Sequence, residues 1–484
     1  MAFKYHKAVA ASLLAIAIAS PAVAQQTRSI SQSSAASAAQ QHPKIVEEFG
    51  GEESGARGTY IRSVGRRITT HTNISNGGEA FRVTTLNSPV MNAFAVPGGY
   101  LYITRQLVGL MNDEAELASV LGHEAGHIAA RHSSERQRTG ILSQLGAIIV
   151  GVVTGSGQLA QLAGQVSQGI FLKYSRSQEY EADDLGVRYM AAAGYDPVAS
   201  STFLNSLGAA SSLESRAVGR DDERAVPSWA RTHPLSADRV RRSQQKAQAT
   251  GKAGRLPRNR DQFLAQLDGI MVDDDPKQGV VDGRDFKHPD LRLRFTVPQG
   301  YGIQNGTRAV SIAGQQGQAQ FSGGRHTGSL GNYITEAFRS IVGQQAQIQA
   351  SQPRSTTING IPAAYSTARV ATQQSQVDLT IIAYQWDSDT VYHFATITQA
   401  GRGVGPFASM IASLGRLSAT EAAAIRPRLI DVVTVRSSDS IASLSSRMAY
   451  NDLKQERFLV LNGLTSSSRL AAGQKVKLVV YGSR

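Results

Sequence analysis

No cysteine occurs anywhere in the 484 residues. Disulfides, thiolate metal sites and cysteine nucleophiles are therefore excluded, and any metal must be held by His, Asp or Glu. Long apolar runs are scarce too. Val9 to Ala19 is one, shorter than the roughly 20 residues a mature membrane span needs. Lys4 and Lys7 give it a positive start and Pro21-Ala22-Val23-Ala24 closes it with an A-x-A pattern. This predicts a secretory signal peptide over 1–24, cut after Ala24, with no Cys at the cut to carry a lipid. A second apolar run, Gly140–Gly155, is punctuated by glycine and reads as a buried helix rather than a membrane-touching hairpin or a lid. Acidic residues are the minority, 37 against 50 Lys and Arg, for a net charge of +13. A basic exported chain is drawn to anionic surfaces such as lipid headgroups or cell-wall polymer. Nothing in the pattern calls for nucleic acid. Hydrophobic content of 41% and charged content of 18% are those of a soluble globular protein, and the length allows about three domains.

Asn112 to His132 reads NDEAELASVLGHEAGHIAARH. Asn112 or Asp113 can cap a helix, and Asp113, Glu114 and Glu116 place negative charge in its first turn. Leu117, Val120, Leu121 and Ile128 recur at helical spacing. His123 and His127 then lie only about 40° apart, beside the apolar face. Two imidazoles one turn apart can share one zinc ion, and Glu124 between them is placed to take a proton from a water. His132 is about 140° from His127 on a continued helix, a poor position for a ligand.

A third ligand is sought in Tyr174–Tyr189 (YSRSQEYEADDLGVRY). Ser175 and Gln178 make a capping box, and Glu179 and Asp183 follow one turn apart. One carboxylate can ligate while the other holds a ligand histidine from behind. Glu181 is a rival on another face. The metzincin spacing is absent, since Ala130 and Ser133 stand where that pattern needs Gly and His. Upstream, Lys44–Phe49 and Tyr60–Ile68 read as helices, and Phe81–Leu86, Asn92–Val96 and Tyr100–Thr104 as strands, the last two joined by Pro97-Gly98-Gly99. A free strand edge beside the metal helix could pair with an extended peptide.

Four blocks in order, NAFAVPGG (Asn92–Gly99), ELASVLGHEAGHIAARH (Glu116–His132), SRSQEYEAD (Ser175–Asp183) and THPLSADR (Thr232–Arg239), resemble the CAAX prenyl endopeptidase-like and HtpX-like zinc metallopeptidases, of gluzincin type. The resemblance covers roughly residues 45–250. It implies zinc, one per chain, on His123, His127 and Glu179, with Glu124 as general base and Asp183 orienting a ligand. It implies that His233 approaches the metal, either as an oxyanion donor or as a plug in the fourth position. The exported form resembles the periplasmic BepA-type branch, which implies a periplasmic location and protein substrates of the envelope, in outer-membrane protein assembly or quality control. No tetratricopeptide repeat follows the peptidase segment, unlike that branch.

The expected layout is α+β and multidomain. A signal peptide (1–24) and a Ser/Ala/Gln-rich disordered segment (25–43) precede a mainly helical zinc metallopeptidase domain with a small sheet (44–251). A basic linker (252–284) leads to an α+β domain (285–420). In that domain DLRLRFTVP alternates as a strand, further strands read at Ala363–Arg369, Val377–Gln385 and Val391–Thr398, and helices at Tyr333–Val342 and Phe407–Leu414. Gly401-Arg402-Gly403-Val404-Gly405 reads as a plain turn rather than a phosphate loop. The tail (428–484) reads strand, two short helices, strand. It resembles a LysM module in Ser438-Asp439-Ser440, Leu461-Asn462-Gly463-Leu464 and Leu470-x-x-Gly473-Gln474-x-Val476, which implies either peptidoglycan binding on a separate module or a structural tail. Protein or peptide substrates, peptidoglycan and a peripheral membrane contact are the expected partners. An exported zinc endopeptidase is the expected function, and a periplasmic chaperone or cell-wall adaptor with little turnover is the alternative.

Overall fold

In the computed structural model, residues 28–132, 174–218, 228–342, 349–371 and 376–483 are described. The expected signal peptide and Gly140–Gly155 lie outside them.

The N-terminal part is built on a small sheet. Tyr100–Thr104 is its central strand, parallel to Arg82–Leu86 and antiparallel to Ala93–Val96. The turn joining the last two strands needs glycine twice. Gly98 and Gly99 have φ of +113° and +90°, and a Cβ on either would come within 2.5 Å of the carbonyl oxygens of Ser34 or Ala80. Those carbonyls belong to neighbouring helices, so the turn is wedged between them.

One of those helices corrects an expectation. Gln32–Glu48 is a helix, although 25–43 reads as disordered. Its composition is weakly apolar, but Ala38 and Ile45 are buried against Phe94, Val96, Tyr100 and Tyr102. The sheet's aromatics thus provide the apolar partner that the segment's own sequence does not reveal. Ser31 caps the helix by accepting the Ser34 amide.

The metal helix, Glu114–Ala129, is capped by Asp113, which accepts the Glu116 amide. It packs on Arg176–Ala192, whose Ser175–Gln178 capping box is present as expected. Small residues set the closeness of this pair. A Cβ on Gly126 would lie 3.1 Å from the Ala182 carbonyl oxygen, and one on Gly186 3.1 Å from the His123 nitrogen. The approach brings Glu179 to the two histidines.

The expected linker is not free chain. Arg260–Leu267 is a helix with Phe263, Leu264 and Leu267 in the core of the N-terminal part, and Met271–Val272 pairs with the tail strand Arg428–Thr434. The tail itself has the expected order: Arg428–Thr434, helices Ile441–Ser446 and Lys454–Leu461, then Lys475–Tyr481 antiparallel to the first strand. It is not set apart, however. Ile430, Val435, Leu444, Met448, Phe458, Val476, Leu478 and Val479 share one core with Leu107, Val108, Leu110 and Met111. Lys477 is wholly buried there. Its Nζ donates to the carbonyls of Gly109, Leu110 and Met111 at 2.8, 3.1 and 2.6 Å, just before the metal helix begins. Burial drives its pKa well down, and Glu116 offsets part of that.

The middle region is a seven-stranded antiparallel sheet. In spatial order its strands are Arg354–Ile358, Ile361–Ala371, Gln376–Gln385, Thr390–Gln399, Gly317–Arg325, Val310–Gly314 and Gly302–Asn305. One core lies between it and a four-stranded sheet that includes Leu293–Thr296. The helix Leu330–Val342 covers the other face through Ile334, Phe338 and Ile341. The alternation in DLRLRFTVP overreaches at its start, since Leu291 is exposed and the strand begins at Leu293. The Gly401–Gly405 loop binds a carboxylate of its own chain. Asp378 Oδ2 accepts the amides of Gly401 and Gly403 at 2.7 and 3.0 Å, so these donors are taken and no phosphate need be invoked.

Candidate metal centre and its surroundings

Four donors converge. His123 Nε2 lies 3.0 Å from His127 Nε2 and 3.2 Å from His233 Nδ1. His233 Nδ1 is 2.9 Å from Glu179 Oε1, and His127 Nε2 is 3.5 Å from the same oxygen. All four donor atoms fall within 4.8 Å of one another, and all four residues are buried. The edge of a tetrahedron with zinc–ligand bonds of 2.0–2.1 Å is about 3.3 Å, so the spacing fits zinc.

The donor chemistry agrees. His123 Nδ1 faces Asp183 Oδ1 at 2.9 Å, so the ring's proton belongs on Nδ1 and the Nε2 lone pair faces inward. Lone pairs brought this close, with a carboxylate among them, repel unless a cation joins them. Among the described residues, Arg239 is the only Lys or Arg side chain placed on these groups, and it is bound from behind. It donates Nε and Nη2 to Asp183 at 2.8 Å each, and its Nη1 is 2.7 Å from Glu179 Oε2.

Burial pushes the Asp183 carboxyl up, yet Arg239 and His123 outweigh it and hold the pKa at about 2. Glu179 behaves alike: burial opposes its charge, but His233 and Arg239 keep it well below the usual range. His127 goes the other way, burial driving it well down so that the neutral ring, the form a metal needs, is favoured.

Glu124 is fully buried beside this cluster. Its Oε1 accepts Trp229 Nε1–H at 3.3 Å and lies 3.6 Å from His233 Nε2. Its Oε2 has no hydrogen-bond partner among the described residues. A buried carboxylate oxygen left in this state is suited to a water or a substrate group. Trp229 stacks on His233, ring centroids 4.6 Å apart, and its amide donates to the Met91 carbonyl just ahead of the Ala93–Val96 strand.

The sequence-predicted residues His123, Glu124, His127, Glu179, Asp183 and His233 are thus brought together. Glu181, the rival ligand, is 61% exposed and outside the donor set. Sequence reasoning missed Trp229 as a partner of Glu124. Its one signal was a tryptophan, one of two in the chain, one helical turn before His233. Arg239, which the sequence shows only as the last residue of the THPLSADR block, braces both carboxylates.

A capped helix bearing two histidines and a glutamate, a carboxylate from the next helix and a small sheet alongside define the zinc-peptidase class of site. Residues 56–247 match Peptidase family M48, and over this segment the four buried donors could hold the metal of a zinc metallopeptidase. Similar proteins include the mitochondrial metalloendopeptidase OMA1 of Arabidopsis thaliana, 36% identical over 27% of this chain and 26% of the relative. The beta-barrel assembly-enhancing protease of Escherichia coli (strain K12) is 30% identical over 37% of each chain. The mitochondrial metalloendopeptidase OMA1 of Schizosaccharomyces pombe is 30% identical over 38% of this chain and 51% of the relative. The chain therefore spans about a quarter to a half of the length of these relatives. No helix among the described residues is long and apolar enough to cross a membrane.

Proposed function

We propose that the protein is an exported zinc endopeptidase that cuts envelope proteins, in outer-membrane protein assembly or quality control. The convergence of His123, His127, Glu179 and His233 beside Glu124 carries this reading. His123, His127 and Glu179 would hold the zinc, which when bound would polarise a peptide carbonyl and acidify a water. Glu124 takes the proton of the attacking water and returns it to the leaving amine. Asp183 holds His123, and Arg239 holds Asp183. The Ala93–Val96 strand, which pairs on one edge with Tyr100–Thr104, offers its other edge to an extended substrate.

His233 is the plug of a resting state. Its Nδ1 sits among the ligand atoms, while its Nε2 and Trp229 Nε1 lie against Glu124. A substrate must displace this pair. The same closure favours the second reading, a periplasmic chaperone or adaptor with little turnover. Export rests on the leader pattern of residues 1–24, and the periplasm on the similarity to the beta-barrel assembly-enhancing protease. Peptidoglycan contact belongs to the Ser438–Ser440 turn of the tail, whose two serines are exposed and whose Asp439 is half-buried, and peripheral membrane contact to the net positive charge. Casein digestion by the purified protein, before and after chelation and with zinc restored, is the test. Zinc-dependent cleavage is expected, and zinc binding without any cleavage selects the second reading. For the tail, point variants of Ser438 and Asp439 should sediment less with purified sacculi than the parent. Equal sedimentation leaves the tail a structural role.

A further inference from the structure

We propose that His132 is the positioning residue of His127, holding it as a zinc ligand through a hydrogen-bonded line that ends at Glu181. This rests on His127 being a ligand, as the proposed function has it. His127 Nδ1 lies 2.8 Å from His132 Nδ1, and His132 Nε2 lies 3.2 Å from Glu181 Oε2. These contacts fix every proton. With Nε2 of His127 turned to the metal, its Nδ1 must carry the hydrogen and donate it. His132 Nδ1 is then the acceptor, so His132 carries its own hydrogen on Nε2. That hydrogen points to the Glu181 carboxylate, which only accepts.

The backbone is shaped to allow this. A continued helix would carry His132 far from His127. The metal helix instead ends at Ala129, Ala130 is its C-cap, and Arg131 takes φ of +60°. A non-glycine residue in the left-handed region is strained and persists where the surroundings impose it. Arg28 Nη1 accompanies the break by donating to the Ala129 carbonyl at 3.0 Å. The turn folds His132 back, buried, with its ring centroid 5.0 Å from that of His127. Tyr174 stacks on His127 at 3.6 Å.

The two helical ligands are therefore held by different devices. His123 leans on a buried carboxylate locked by Arg239. His127 leans on an imidazole whose far end meets a carboxylate 61% exposed. Removing an outer partner of a ligand histidine typically loosens the metal 10–100-fold.

The test compares zinc affinity, by chelator competition, in the full chain and in His132→Leu and His132→Asn. Asparagine Oδ1 can stand where Nδ1 stands and accept the same hydrogen. Leucine should loosen zinc about 10–100-fold, and asparagine should restore most of the loss. Cobalt substitution should give a ligand-field spectrum altered in the leucine variant and near the parent's in the asparagine variant. A folded leucine variant with the parent's zinc affinity overturns the proposal, as does asparagine no better than leucine. Should leucine not fold, the tautomer decides. Histidine-labelled ¹⁵N spectra of the zinc-loaded parent should show His132 protonated on Nε2, and protonation on Nδ1 alone refutes the line. Failure of the parent itself to bind zinc would strike the underlying site assignment instead.

Discussion

Removing residues 428–484 should destroy the peptidase rather than release it from an appendage. The segment places Ile430, Val435, Leu444, Met448, Phe458, Val476, Leu478 and Val479 in the core that also holds the residues before the metal helix. Burial of such a side chain stabilises by roughly 1.5–3 kcal/mol, so these eight amount to about 12–24 kcal/mol. Even if half of that burial is internal to the tail, the remainder is about 6–12 kcal/mol, the size of a typical domain's whole stability. Lys477 adds polar consequences, because its loss frees the carbonyls of Gly109, Leu110 and Met111 in an apolar setting. The assay is thermal melting by circular dichroism, with zinc content, on the chain ending at Pro427 and on the full chain. The truncated chain should lack a cooperative transition or hold less than one zinc. A cooperative melt within a few degrees of the parent, with one zinc per chain, would refute the shared core.

Three further outcomes follow from the site. In the zinc-free protein, Asp183→Asn should flatten the acid limb of stability. The carboxyl's folded pKa of about 2 lies below the ordinary 3.8, so its contribution, about 2 kcal/mol, is present above pH 4 and is lost as pH falls towards 2; a parent and variant with parallel acid limbs would contradict this. Gly126→Val should push apart the helices that meet at Ala182, costing about 1–3 kcal/mol and weakening zinc, and an unchanged melting temperature would speak against the close approach. His233→Ala should raise basal cleavage of casein or provoke self-digestion, whereas a loss of about 10²–10³-fold would make His233 an oxyanion donor.

What the sequence discloses of the site is what local spacing encodes. The helix carrying His123, Glu124 and His127 is set by its cap, its apolar stripe and a one-turn repeat, and Glu179 and Asp183 by a capping box and the same repeat. What escapes it depends on long-range approach. Trp229 reaches Glu124 across 105 residues, and Arg239 reaches Asp183 across 56. His132 escapes for a local reason: the helix wheel stops applying at Arg131, whose left-handed backbone no propensity announces. The fold shows the same division. Apolar-rich runs, buried on both faces almost throughout, mark Gln376–Gln385 and Thr390–Gln399, while Arg354–Ile358, polar and exposed, leaves no such trace. Lys477 looks like an ordinary solvent-facing charge in its strand, so nothing in the tail's own pattern tells that it docks on the peptidase.

The central claim is that Glu124 performs the proton transfer at a zinc it does not bind. Glu124→Gln, purified beside the parent, should retain one zinc per chain and the parent's melting temperature, and lose casein cleavage by about 10²–10⁴-fold. A folded, zinc-loaded Glu124→Gln that cleaves at near the parent's rate would contradict the account.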